Sequence, residues 1–173
     1  MLGISVLILN SMVLSARGDV KDSELMILEA EKLCENNQLL PFMFNILQSL
    51  KLKFYLNQKQ EEKATAIVKK LKLSPTDKID HLNEALYMAY VHHLLAQGQI
   101  KEAGNILSQL HDIVDAGKRV ERLIVVKITY AIYYKLTSDI DKAYENLVEA
   151  LELCASENLV MFFIHNIDDI EDL

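Results

Sequence analysis

Ser23, Ala64, Ala103 and Ala143 stand 41, 39 and 40 residues apart, and the same pattern surrounds each of them. Five residues upstream lie Gly18, Lys59, Gly98 and Ser138, where a chain leaving a helix must turn. Glycine suits such an exit because it adopts the left-handed conformation without steric cost. Four residues downstream lie Ile27, Val68, Leu107 and Leu147, one helical turn on and on the same face. Seven downstream come Ala30, Leu71, Leu110 and Ala150; nine upstream, Leu14, Tyr55, Leu94 and Tyr134. Each unit therefore reads as two amphipathic helices joined by a tight turn, the small residue letting them approach closely. A period near 40 built from helix pairs predicts an all-α fold, an α-α superhelix of about four hairpins.

The register also explains a duplication. EAEKLCENNQLLPFMF at 29–44 and EALELCASENLVMFFI at 149–164 share six of sixteen positions and occupy the same part of the first and fourth units. Cys34 and Cys154, the chain's two cysteines, each fall eleven residues after the small residue. A slot set by the repeat predicts small apolar packing residues rather than catalytic or metal-binding thiols. Two such cysteines make no disulfide framework, and a cytoplasmic setting is expected.

The expected helices are 2–16, 20–36, 40–57, 60–72, 77–97, 100–115, 119–137, 140–156 and 158–165. They group into units of about 1–38, 39–76, 77–117 and 118–165, a single repeat domain followed by an acidic tail, 166–173. Ser74-Pro75-Thr76-Asp77 reads as a stop and restart, with Thr76 or Asp77 as N-cap; Ser138 or Asp139 can serve the same way after Thr137. With 5 Gly and 2 Pro among 173 residues, a β fold built on turn dipeptides is not expected.

GQIKEAGNIL at 98–107 and SDIDKAYENL at 138–147 carry the core of the tetratricopeptide motif: Gly or its substitute, then an aliphatic residue, Ala, and a second aliphatic one turn on. The longer period, together with DAGKRVERLIVVKITYAIYYKLTSDIDKAYENLVEALELCASENLVMFF at 115–163 and ARGDVKDSELMILEAEKL at 16–33, resembles the helical-repeat region of the large ATP-binding, MalT-like regulators of the LuxR group. His165-Asn166-Ile167 departs from the acidic turn common there. The resemblance implies a sensor and interaction segment of a bacterial-type transcriptional regulator. It would bind a small-molecule inducer or a regulatory protein and control oligomerisation, itself neither hydrolysing ATP nor touching DNA. The alternative is a stand-alone repeat adaptor that binds a partner protein with no transcriptional role.

The formal charge of −7 likewise argues against a nucleic-acid surface. It is uneven: residues 51–72 hold seven Lys against two Glu, whereas 139–173 hold ten acidic residues against Lys142. The apolar start, MLGISVLILNSMVLSAR, has no cation before its apolar run, and Asn10 and Ser11 interrupt it short of the roughly 20 residues a membrane span needs. No membrane partner is expected. A homodimer that hides this helix is.

No catalytic constellation emerges, and no enzyme, cofactor or metal is expected. Gly98 and Gly104 precede Asn105-Ile106 rather than Lys-Ser, so no phosphate loop exists. His111 and Asp115 share a helical face without an evident third ligand, and the adjacent His92 and His93 point about 100° apart around a helix. In tetratricopeptide arrays the first helix of each unit lines a concave groove. Projected onto this register, that groove receives Ile8 and Met12, then Ser49 and Lys53, then Met88 and His92, and finally Ile128, Ile132 and Lys135. Lys53 and His92 are its expected polar anchors. Tyr87, Tyr90, Tyr130, Tyr133 and Tyr134 are expected to pack mostly between helices with their hydroxyls reaching the surface.

Overall fold

The computed structural model describes residues 2–36 and 40–157. Among them are eight helices and no strand: α1 (Leu2–Ala16), α2 (Val20–Asn36), α3 (Pro41–Asn57), α4 (Glu61–Leu71), α5 (Glu84–Ala96), α6 (Ile100–Ala116), α7 (Val120–Leu136) and α8 (Ile140–Glu157). The fold is all-α and built from helix hairpins, as the repeat predicts. The expected helix at 158–165 and the acidic tail lie outside the described residues.

The turn inside each hairpin is the same object four times. Gly18, Lys59, Gly98 and Ser138 all have positive φ, at 82°, 54°, 69° and 61°. The next amide reaches back five residues in each case: Asp19 N to Leu14 O, Gln60 N to Tyr55 O, Gln99 N to Leu94 O and Asp139 N to Tyr134 O, every one at 2.9 Å. The turn residue's own amide bonds three residues back, completing a Schellman closure that satisfies the last carbonyls of the helix. Lys59 and Ser138 hold without glycine a conformation that costs a residue bearing Cβ about 1 kcal/mol. Ser23, Ala64, Ala103 and Ala143 are fully enclosed, and their amides form the first backbone bonds of the returning helix. Ser23 alone carries a hydroxyl into that contact, and it donates to Ser11 O of α1 at 2.8 Å.

Two compact units divide the chain, residues 1–73 with 81–93, and 74–80 with 94–173. In the first, α1 packs on α2, α2 on α3 and α3 on α4. Its core joins Ile4, Ile27 and Ala30 to Leu47, Leu52 and Phe54, with Ala89 of α5 completing it. In the second, α6 packs on α7 and α7 on α8, burying Leu107, Leu110, Ile124, Ala131 and Ala150. Cys34 and Cys154 are buried and unbonded to each other, as is Val114 at the corresponding position of the third repeat. Burial pushes both thiols up, with the Glu31 and Glu35 charges adding to the effect at Cys34.

Two expectations about helix starts are answered differently. The helix anticipated from 77 begins only at Glu84. The Asp77 carboxylate accepts the Ser74 amide at 2.8 Å, and Asp77 N returns a bond to Ser74 O at 3.1 Å. Asp77 thus closes a local turn instead of capping a helix, the competition that makes aspartate a turn former. Asp139, in contrast, does cap α8, accepting the Lys142 amide at 3.4 Å.

Enlarging a hairpin contact should therefore cost more than straining a turn. Ala103→Leu is expected to lower stability by about 1–3 kcal/mol through overpacking, and Gly98→Ala by about 1 kcal/mol through the left-handed φ. Ser138→Gly should raise it by a few tenths to about 1 kcal/mol. Urea denaturation of the three variants beside the parent chain measures all of these.

Candidate functional site

Polar side chains gather at two places, one in each unit, and the repeat register relates them. In the first unit, α2 presents Glu24 and Glu31 to α3 and α4. Tyr55 Oη donates to Glu24 Oε1 at 3.0 Å and Lys63 Nζ donates to the same oxygen at 2.7 Å, while the Lys63 ammonium lies 4.9 Å from the Tyr55 ring centroid. Glu31 receives Lys51, Lys70 at 3.5 Å and the buried Gln48 amide at 3.5 Å. The Lys63 hydrogen bond holds the Glu24 carboxyl below its ordinary range against the opposing effect of burial. Burial would raise Glu31, but the Lys51 hydrogen bond and charge, then the Lys70 charge, outweigh it and hold Glu31 low as well. Burial, reinforced by the Glu24 bond, pushes the Tyr55 hydroxyl up to about 12. Every acid here is matched, and three helices are tied together.

The second unit has an open depression of about 280 Å³ between α6, α7 and α8. His111 contributes from α6; Lys127, Tyr130 and Tyr134 from α7; Lys142, Glu145, Asn146 and Glu149 from α8. Tyr130 and Tyr134 stack with centroids 5.9 Å apart, and His111 meets Tyr130 edge-on at 6.0 Å. Lys142 Nζ lies 5.3 Å from the Tyr134 ring centroid and donates to Asp139 Oδ2 at 2.7 Å. Lys127 pairs with Glu149 across the hairpin. The aromatic wall, two ammonium groups and two carboxylates suit a small ligand with an apolar body and a charged end.

The residues expected to line a groove occupy varied surroundings. Ser49 is half-buried, its hydroxyl turned back onto Ile46 O at 2.8 Å. Lys53 and His92 face one another electrostatically in the first unit. Burial first, and the Lys53 ammonium second, push the His92 imidazole down to about 3. Met88 is buried there; in the second unit Ile128 is fully enclosed, Ile132 buried and Lys135 half-covered. Ile8 is half-buried and Met12 exposed on α1. The tyrosines pair within their helices, Tyr87 with Tyr90 and Tyr133 with Tyr134, and Tyr90 stacks on the buried His93. Reading α7 through 128, 132 and 135 passed over Lys127, Tyr130 and Tyr134, the residues that face the depression. Among the described residues no group of three His, Cys, Asp or Glu is placed to hold a metal, and no helix is long and apolar enough to cross a membrane.

The first unit should be acid-sensitive in two stages. His92 and His93 both have folded pKa values below the ordinary 6.5, so the stability their neutral rings confer is present above 6.5 and is lost as pH falls below it. Glu24 and Glu31, held below 4.5, add a second loss under that pH. The urea midpoint is expected to fall between pH 7 and pH 5 and more steeply below 4.5. His92→Gln combined with His93→Gln flattens the first segment only; a parent midpoint constant from 7 to 5 contradicts the burial of these rings.

Comparison with known proteins bears on the whole chain at once. A family model described as the MalT-like TPR region matches residues 4–172. No curated protein and no solved structure matches the chain. Left-handed turns at four equivalent positions, enclosed small residues five positions beyond them and a match over nearly every residue agree: this chain belongs to the MalT-like TPR region family.

Proposed function

We propose that this is the signal-sensing and protein-interaction segment of a MalT-like transcriptional regulator of the LuxR group, acting in the cytoplasm. The observation that carries the reading is the family match over residues 4–172. In this reading an inducer or a regulatory protein binds the helical repeats, with Ser49, Lys53 and His92 as candidate contacts in the first unit and Lys135 in the second, while Met88, Ile128 and Ile132 support them from the interior. Binding changes how the regulator assembles. Such a switch requires that the signal bind two assembly states with different affinity, and the shift it produces can be no larger than that difference.

Self-association is the readout closest to this chain. On α1, Leu9 is 61% exposed and Val6, Met12 and Val13 are exposed beside it, an apolar face on a helix that carries no charged residue. Burying these four side chains against a second copy favours a homodimer. Two measurements check the proposal. Light scattering across a concentration series should show a dimer that Leu9→Lys converts to monomer; a parent chain that stays monomeric contradicts the α1 contact. The surrounding reading frame should encode an ATP-binding module before this segment and a helix-turn-helix after it. A frame with neither assigns the chain instead to a stand-alone adaptor.

A further inference from the structure

We propose that the depression between α6, α7 and α8 binds a carboxylate, which Tyr134 and Lys142 hold as Tyr55 and Lys63 hold that of Glu24. Tyr55 and Lys63 lie nine residues and one residue before Ala64; Tyr134 and Lys142 lie nine residues and one residue before Ala143. The two pairs share geometry as well as register, with Nζ 4.9 Å from the ring centroid in the first unit and 5.3 Å in the second. In the first unit the pair grips an acid belonging to the preceding helix, because Glu24 follows Ser23. In the second unit the residue following Ala103 is Gly104, and the acid is missing.

Tyr133 packs closely on that glycine. A Cβ at Gly104 would sit 3.0 Å from Tyr133 Oη and 3.1 Å from its ring, whereas the position matching Tyr133 in the first unit is Phe54, with no hydroxyl. Tyr133 thus crowds a side chain at position 104, the position that Glu24 holds in the first unit. The matching exchange of Glu31 for His111 removes the second acid. What remains is an open volume beside a tyrosine hydroxyl and an ammonium. Tyr134 Oη has no hydrogen-bond partner among the described residues, and Asp139 takes one of the three Lys142 protons. Lys127 matches Glu149, but Glu145 on α8 opposes negative charge, so the fitting ligand carries no more than one carboxylate, on an apolar or planar body that can lie along Tyr130. Two sources share that chemistry, a free monocarboxylate and the glutamate side chain of a partner protein. The site lies within one unit and stands whether or not the regulator reading holds.

The test is a titration of the isotopically labelled 173-residue chain, followed by amide NMR shifts. The probes are sodium benzoate and N-acetylglutamate α-amide, each beside its neutral amide, benzamide and N-acetylglutamine amide. Saturable shifts around Tyr134 and Lys142 with a carboxylate and not with its amide are expected, in the millimolar range for a two-contact site. Response to benzoate identifies a free acid as the source; response to the glutamate derivative alone identifies a partner side chain. Tyr134→Phe should weaken binding about tenfold through loss of one charge-assisted hydrogen bond. Gly104→Glu with Tyr133→Phe rebuilds the first unit's arrangement and should abolish binding by supplying the acid internally. Three results overturn the proposal: no saturable response to either carboxylate, equal response to the amides, or undiminished binding by the double variant. Should circular dichroism show the double variant unfolded, unchanged affinity in Tyr134→Phe overturns it alone.

Discussion

Two antiparallel helices can lie against one another at the start of their hairpin only where one of them has almost no side chain and the chain between them turns through a left-handed residue. Ser23, Ala64, Ala103 and Ala143 meet the first condition, each fully enclosed. Gly18, Lys59, Gly98 and Ser138 meet the second. The hydrogen bonds show why the two conditions travel together. The turn amides close onto the outgoing helix, and the residue after the turn lends its carbonyl to the small residue four positions on. Once that closure is made, the direction of the returning helix is set, and the apolar faces are brought together to be buried.

Because backbone and small residues carry the hairpin, the outer positions are free to change their chemistry without changing the fold. The two units exploit this in opposite ways. In the first, Glu24 and Glu31 are matched by Lys63, Tyr55, Lys51, Gln48 and Lys70, so the space between three helices is filled with ion pairs. In the second, glycine and histidine replace the two acids, the Lys127–Glu149 pair spans the α7–α8 hairpin, and the space stays open. The Lys63–Glu24 pair is partly exposed, and pairs of that kind contribute little to stability. Losing its acid therefore costs the fold little, while a place for a ligand is left beside a tyrosine and a lysine already held in position.

Much of this was legible in the sequence. The recurrence of one small residue every forty positions revealed the hairpins, their turns and most helix boundaries, because these features depend on local backbone geometry that recurs with the residue type. The start of α5 was not legible, since Asp77 has two uses, capping a helix or closing a turn onto Ser74, and only the surrounding chain decides between them. Nor could helical period separate residues lining a surface from residues filling the interior: Ile128 and Lys127 are neighbours in sequence, one enclosed and the other at an open depression. The signal for that depression was present all the same. Aligning the units on Ala64 and Ala143 superposes Tyr55 on Tyr134 and Lys63 on Lys142, and shows an acid present in one copy and absent from the other. Reading the repeat for what differs between its copies, rather than for what recurs, would have found it.

The recurring turn can be tested directly by native-state hydrogen exchange at the amides of Asp19, Gln60, Gln99 and Asp139. Each donates a 2.9 Å bond to a carbonyl five residues back although each lies outside a helix. All four should exchange far more slowly than unstructured peptide, in step with the helical amides beside them. If any of the four exchanges at the free-peptide rate while its flanking helices stay protected, that hairpin is not closed as described, and the shared architecture fails there.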